Sequence, residues 1–202
     1  MPLPSSGSTK QEILDALTAM RANDARWQEG RTFGMVYDAG PETHEVVEAV
    51  AAMFLHDNAL NTLAFPSLGR IQSEVVGITA DLLHGPEAAG FITSGGTESI
   101  LMAVKAARER SRTERGITAP EIVLPVSAHA AFHKAAHYFG LTVRKVPVRD
   151  DFRADVDAAA DAINENTVLV VGSAPQYPQG VIDPIPALAE VATSVGASFH
   201  TD

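Results

Sequence analysis

The feature that most constrains the fold is an alternation of short apolar runs and helical patterns that starts near Ala89. Segments with helical periodicity separate the apolar runs, which cover residues 90–93, 121–127, 141–148, 167–172 and 198–202. Strands separated by helices of this length form βαβ units, because parallel neighbours need a crossover connection. The pattern therefore predicts an α/β fold around a mostly parallel sheet in residues 87–202.

The region before this alternation is predicted to be helical. Residues 1–7 are rich in Pro, Ser and Gly and indicate a disordered tail. A capping box, formed by Ser8 with Gln11 or by Thr9 with Glu12, predicts a helix start. Two further apolar faces at helical spacing follow, and Gly85-Pro86 ends the last helix. We therefore expect a helical amino-terminal segment over residues 8–86 and an α/β domain over residues 87–202.

The composition excludes several classes of function. The formal net charge of −10 argues against a nucleic-acid partner. The chain contains no cysteine, which excludes disulfides, thiolate metal ligands and cysteine nucleophiles. No apolar run is long enough to span a bilayer, and the first residues lack the apolar segment of a signal peptide. We expect a cytoplasmic protein without a transmembrane segment.

A glycine-rich turn is the sharpest local motif. Ser94, Gly95, Gly96 and Thr97 follow a predicted strand and open a predicted helix. Glycines let a ligand approach the backbone closely, and a helix start offers free N–H groups and a positive dipole end. The turn therefore suits a phosphate group, although a purely structural turn capped by Thr97 explains the same residues.

The histidines do not form a metal site. His129, His133 and His137 share one helix face, but three positions spaced over about 12 Å of helix cannot all reach one ion. His129 differs from the other two because it lies at the junction between a strand and the following helix. In such sheets these junctions lie at the edge where ligands bind. Asp202 lies at a comparable strand end, as either a ligand-facing carboxylate or a helix cap.

Two polar loops are candidates for substrate contacts. Residues 173–180 form a polar loop between a strand and a helix, and Ser173 and Tyr177 belong to it. Asn58 lies in a second loop, between two predicted helices.

These motifs together resemble the pyridoxal-phosphate-dependent group II decarboxylase superfamily, and within it the soluble bacterial type of sphingosine-1-phosphate lyase. The Ser-Gly-Gly-Thr-Glu motif marks the superfamily. The loop Ser-Ala-Pro-Gln-Tyr-Pro-Gln-Gly and the segment His-Ala-Ala-Phe-His-Lys-Ala narrow the resemblance to the lyases. The similar stretches are 27–37, 58–68, 93–105, 127–135, 172–180 with 183–185, and 200–202. The resemblance implies the large domain of the aspartate aminotransferase-like fold, with three layers.

The resemblance also implies a role for individual residues. Ser94, Gly95, Gly96 and Thr97 would bind the phosphate of pyridoxal 5'-phosphate. His129 would stack on the pyridine ring, and Asp202 would pair with the protonated pyridine nitrogen, which keeps the ring an electron sink. His200 lies two residues before Asp202 on the same strand, so it is a candidate catalytic residue in contact with the substrate. Thr201 stands where the family usually has valine.

The activity implied is retro-aldol cleavage of a phosphorylated sphingoid base to a long-chain aldehyde and phosphoethanolamine. Two alternatives stay open: an amino-acid decarboxylase of group II with the same cofactor, and a non-enzymatic remnant without cofactor. The resemblance implies a homodimer with shared active sites, and the apolar face of residues 41–56 is a candidate contributor to its interface.

The family's Schiff-base lysine lies tens of residues beyond the aspartate. None of the four lysines here, Lys10, Lys105, Lys134 and Lys145, has its context. We therefore expect this chain to be the incomplete amino-terminal part of a longer enzyme and to be inactive alone.

Overall fold

The computed structural model describes residues 4–202. These residues form two compact units that divide between Val75 and Val76, whereas the sequence predicts a boundary after residue 86. The α-helices are α1 (Lys10–Met20), α2 (Pro41–Met53), α3 (Pro66–Leu82), α4 (Gly96–Arg115), α5 (Ala130–Phe139), α6 (Val156–Ala162) and α7 (Ile185–Ser194). The strands are β1 (Glu121–Pro125), β2 (Thr142–Val146), β3 (Thr167–Gly172) and β4 (Ser198–Thr201). Two short 3-10 helices cover Arg21–Asn23 and Trp27–Glu29.

The first unit is helical, as the sequence predicts. Thr9 and Glu12 form the capping box of α1: the Glu12 amide donates to Thr9 Oγ1 (3.3 Å), and the Thr9 amide donates to the Glu12 carboxylate (2.7 Å). Neither α1 nor α2 has a buried residue, so their apolar faces are exposed. Residues 4–9 form neither helix nor strand, and the first three residues of the predicted tail lie outside the described residues.

The second unit contains a four-stranded sheet in the order β2-β1-β3-β4, and every neighbouring pair is parallel. The predicted α/β class is confirmed. The predicted strand over residues 90–93 is wrong, because this segment forms no ladder with any described strand. Its apolar side chains are also exposed, since Phe91 keeps 67% of its surface in contact with solvent. An apolar run without a hydrogen-bonding neighbour does not make a strand.

Two hydrophobic clusters cover the two faces of the sheet and give the unit three layers. Ile122 and Leu124 of β1 pack in one cluster with residues of α4 and α5. Val123, whose side chain points to the opposite face, packs in the other cluster with residues of α6 and α7. Both faces of the parallel sheet are therefore covered, which explains why β1 and β3 are buried along their whole length and apolar after their first residue.

Gly172 sets the position of the loop that follows β3. A Cβ atom at this residue would lie 3.0 Å from both Ile185 Cδ1 and Leu188 Cδ1. Any larger residue would therefore require the Ile185 and Leu188 side chains to shift by a few tenths of an ångström. The contact holds the start of α7 beside the segment where the candidate site begins.

An ion pair between the buried Glu121 and the exposed Arg144 stabilises the start of β1 and makes stability depend on pH. The Glu121 carboxylate, in a residue only 8% exposed, accepts hydrogen bonds from Arg144 (2.8 and 2.9 Å) and from Asn164 (2.7 Å). The hydrogen bonds from Arg144, and more weakly those from Asn164, hold the pKa of this carboxyl below its ordinary value although burial opposes them. A lowered folded-state pKa stabilises the protein above the unfolded pKa, and this contribution is lost as the pH falls through the folded pKa.

We expect Glu121→Gln to lower the free energy of unfolding at pH 7 by about 1–3 kcal/mol, because Arg144 loses its charged partner. The difference from wild type should shrink as the pH falls below about 4. Urea unfolding of the full-length wild type and variant at pH 7 and at a pH below about 4 measures this difference. Glu114→Gln is the control, because Glu114 pairs with Arg110 on the surface, where an ion pair contributes about 0–1 kcal/mol. Equal effects of the two substitutions would contradict the assignment.

Candidate active site

The candidate site lies at the edge of the sheet where the parallel strands end. His129 follows β1, Ser173 follows β3 and Asp202 follows β4. Because β1 neighbours β3 and β3 neighbours β4, these segments lie side by side at the same edge. Ligands of open α/β sheets bind outside the carboxyl ends of the strands.

A cavity of about 680 Å³ opens at this edge. Its volume lies in the range of small-molecule sites. Four residues predicted from the sequence line it together: His129, Ser173, Tyr177 and Asp202. Further lining residues, including Val126, Phe152, Pro175 and Pro178, give it a partly apolar wall.

His129 is held in place by its role as the N-cap of α5. Its Nδ1 accepts a hydrogen bond from the backbone N–H of Ala131 (3.1 Å). In the neutral imidazole the proton therefore lies on Nε2. The cap fixes the ring at the strand-to-helix junction, and His129 itself is exposed.

Backbone hydrogen bonds fix Asp202 beside the end of β3. Its N–H donates to the Gly172 carbonyl (2.9 Å), and its carbonyl accepts from the Ala174 N–H (2.9 Å). The β3–β4 ladder therefore continues through Asp202, and Asp202 lines the cavity.

Asp183 organises the loop after β3. It is 2% exposed, and its two carboxylate oxygens accept hydrogen bonds from the amides of Ala154 and Ser173, both at 2.8 Å. This aspartate joins two segments that border the cavity. The sequence shows Asp183 only as a residue near a helix start, so this bridging role was not predicted.

Two buried polar atoms at the cavity have no hydrogen-bond partner among the described residues. They are Ser127 Oγ and Gln176 Oε1, and both residues line the cavity. Buried polar atoms are normally paired in native proteins, so these two indicate where a ligand with polar groups would bind. Neither residue could be selected from the sequence, because residue identity does not reveal which polar atom is left without a partner.

The predicted phosphate turn lies at the start of α4. Arg115, the last residue of this helix, donates to the carbonyls of Thr167 (2.9 Å) and Gly196 (3.2 Å), at the amino edge of the sheet. Because α4 has 20 residues and is about 30 Å long, its first turn lies toward the opposite, carboxyl edge. The amides of Gly96, Thr97 and Glu98 precede Ser99, the first N–H that donates within the helix.

The glycines of this turn leave open space. A Cβ on Gly95 or Gly96 would meet no other part of the described chain within 4 Å, and neither backbone has a positive φ that requires glycine. Ser94 differs from the other predicted phosphate residues, because its N–H and hydroxyl donate to the Glu98 carboxylate (2.7 and 2.6 Å). The hydrogen bond from the Ser94 hydroxyl, and then the one from its N–H, lower the pKa of Glu98.

His200 and Asn58 do not line this cavity. The His200 ring packs edge-on against Phe132, with centroids 5.5 Å apart. Burial lowers the pKa of His200, and the Asp202 carboxylate opposes that shift. Asn58 lies in the first unit, where its Oδ1 accepts from the Leu60 N–H (3.2 Å). The catalytic role predicted for His200 and the substrate contact predicted for Asn58 stay predictions.

No group of three or more His, Cys, Asp or Glu side chains within residues 4–202 could hold a metal ion. No helix in this part of the chain has both the length and the apolar character that crossing a membrane requires.

A cavity at the carboxyl ends of parallel strands is typical of α/β proteins that bind small molecules. Comparison with known proteins gives the family. The aminotransferase class-V family matches residues 42–202, and the chain belongs to this family. The chain is 45% identical to sphingosine-1-phosphate lyase 1 of Rattus norvegicus over 201 residues, which is 99% of this chain. A solved sphingosine-1-phosphate lyase structure from Burkholderia pseudomallei aligns with all of it, at 39% identity and a TM-score of 0.93. The resemblance to these lyases that the motifs predict is confirmed.

A decarboxylase is also similar. A probable L-tyrosine/L-aspartate decarboxylase of Methanothermobacter thermautotrophicus is 39% identical over 160 residues, or 79% of this chain and 43% of the relative. The chain spans 35% of the length of the rat lyase and 48% of the Burkholderia chain.

Proposed function

We propose that this chain is part of a pyridoxal-phosphate-dependent carbon–carbon lyase. Its substrate would be a phosphorylated sphingoid base, cleaved by retro-aldol reaction to a long-chain aldehyde and phosphoethanolamine. The observation that carries the proposal is that His129, Ser173, Tyr177 and Asp202 line the same cavity. Similarity to lyases over 99% of the chain, against 79% for the decarboxylase, favours the lyase.

The residues present fit the cofactor. Open space at Gly95 and Gly96 beside unpaired helix N–H groups suits a phosphate, and the Asp202 carboxylate suits a protonated ring nitrogen. When bound, pyridoxal phosphate supplies an electron sink for the carbanion left as the carbon–carbon bond breaks. Asp202 would hold the proton on the pyridine nitrogen, and His129 would stack on the ring. The amides of Gly96 and Thr97 would bind the phosphate.

The test is an assay of the full-length protein loaded with pyridoxal phosphate. Phosphorylated sphingoid bases should be cleaved with release of aldehyde. Aromatic and acidic amino acids, offered under the same conditions, should release no carbon dioxide. Decarboxylation without aldehyde release would favour the second candidate, and failure to take up the cofactor would favour a non-enzymatic remnant.

The role of His129 gives a spectroscopic prediction. His129→Asn keeps a side-chain oxygen that can cap α5 but removes the ring. We expect the cofactor absorbance to shift and its affinity to fall roughly 2–10-fold, the size of an aromatic stacking contribution. His137→Ala is the control, because His137 lies eight residues further on, about 12 Å along the helix axis. A larger spectral change in the His137 variant than in the His129 variant would refute the assignment.

We also propose a cytoplasmic homodimer with active sites at its interface. Exposed apolar residues along α2, including Val46, Val47, Val50 and Met53, support an interface role for this helix. Light scattering of the full-length protein tests it, and a monomer at working concentrations would contradict it. The inactivity expected of the 202-residue chain alone also stays a prediction.

A further inference from the structure

Gln176 is a buried polar residue whose side chain has no role in the proposed binding of the cofactor. It lies in the loop after β3 and is 1% exposed. Its backbone closes this loop, since its N–H donates to the Val181 carbonyl (2.9 Å) and its carbonyl accepts from the Gly180 N–H (3.0 Å). The side chain is therefore held at one place on the wall of the cavity.

The orientation of the Gln176 carboxamide follows from its one hydrogen bond. Nε2 donates to the backbone carbonyl of Phe152 (2.5 Å). A carbonyl oxygen can only accept, so the opposite orientation would bring two oxygens together. Oε1 is consequently the free end, and it has no partner among the described residues. A buried acceptor of this kind needs a donor.

We propose that Gln176 is a specificity-determining residue whose Oε1 accepts a hydrogen bond from the hydroxyl of the phosphorylated amino-alcohol substrate. This inference rests on the proposed function. The substrate phosphate carries acceptors, and its amino group is the group through which the cofactor binds it. The hydroxyl is the donor that remains. Because a carboxamide does not titrate, Gln176 orients this hydroxyl and does not remove its proton.

The test compares two ligands in the full-length holoenzyme. One is a phosphorylated sphingoid base, and the other is its analogue with hydrogen in place of the hydroxyl. Stopped-flow absorbance of the cofactor measures binding before products accumulate. We expect wild type to bind the hydroxylated ligand about tenfold more tightly, and Gln176→Met to bind both alike. An equal loss for both ligands in Gln176→Met would mean a purely structural role and would overturn the proposal.

Two further variants keep the result decisive. Gln11→Met changes an exposed glutamine of α1 that does not line the cavity, and it should retain the discrimination of wild type. Gln176→Leu also removes the acceptor oxygen and should bind both ligands alike, so it replaces the methionine variant if that one does not fold. Discrimination that survives in Gln176→Leu would overturn the proposal.

The outcome in wild type separates this proposal from the proposed function. A wild-type enzyme that takes up the cofactor but binds both ligands alike overturns the role of Gln176 and leaves the lyase activity standing. A wild-type enzyme that takes up no cofactor overturns both.

Discussion

Asp202→Ala in the full-length enzyme is expected to lower turnover by orders of magnitude. Two backbone hydrogen bonds at 2.9 Å fix this residue beside the end of β3. A hydrogen bond to a charged group contributes about 1.5–3 kcal/mol. Losing the proton on the pyridine nitrogen removes the electron sink as well.

Steady-state turnover of phosphorylated sphingoid bases, at equal cofactor content, measures the effect. Asp202→Asn should resemble the alanine variant, because it keeps the shape of the side chain and removes its charge. Asp161→Ala, at an exposed position of α6, should retain wild-type turnover. If Asp202→Ala stayed within a few-fold of wild type, Asp202 would be only a helix cap.

Gly96→Val is expected to remove most of the affinity for the cofactor while the protein remains folded. A Cβ at this position meets nothing within 4 Å in the described chain, so the fold has room for a side chain. The same side chain would occupy the space through which a phosphate approaches the first amides of α4. We expect the dissociation constant of pyridoxal phosphate to rise at least about tenfold, or roughly 1.4 kcal/mol.

Titration of the apoenzyme with pyridoxal phosphate, followed by absorbance, tests this. Gly77→Val is the matched control, because Gly77 is a helical glycine of α3 whose Cβ would also lie in open space. It should leave cofactor affinity unchanged. Equal affinity in wild type and Gly96→Val would mean that the turn is structural and that the phosphate binds elsewhere.

Much of the fold could be predicted because its signals are local. The apolar run 167–172 coincides with β3 (Thr167–Gly172), and Gly140, with φ 70°, ends α5 where the pattern ends. Residues 90–93 show the limit of such signals. Their apolar run resembles the others, but strand formation depends on a neighbour, and this segment pairs with none of the described strands.

Part of the candidate site could also be predicted from the sequence. Position at the carboxyl ends of strands was enough to select His129, Ser173 and Asp202, which line one cavity. The alternation of side chains along β4 placed His200 on the same side as Asp202. In the structure His200 packs against Phe132 and does not line that cavity, because strand alternation does not determine which neighbour a partly buried ring contacts.

The sequence alone determined the class of fold, the order of β1 to β4 and the helices between them, and the residue types at the strand ends, because hydrophobic periodicity and glycine positions are properties of the chain itself. Only the tertiary structure decided which polar atoms remain without a partner. Gln176 Oε1 is free because Nε2 is taken by the Phe152 carbonyl, and Ser94 is occupied because Glu98 lies one turn away. Hydrogen bonds of these kinds depend on the distance and direction between atoms, which exist only once the chain has folded.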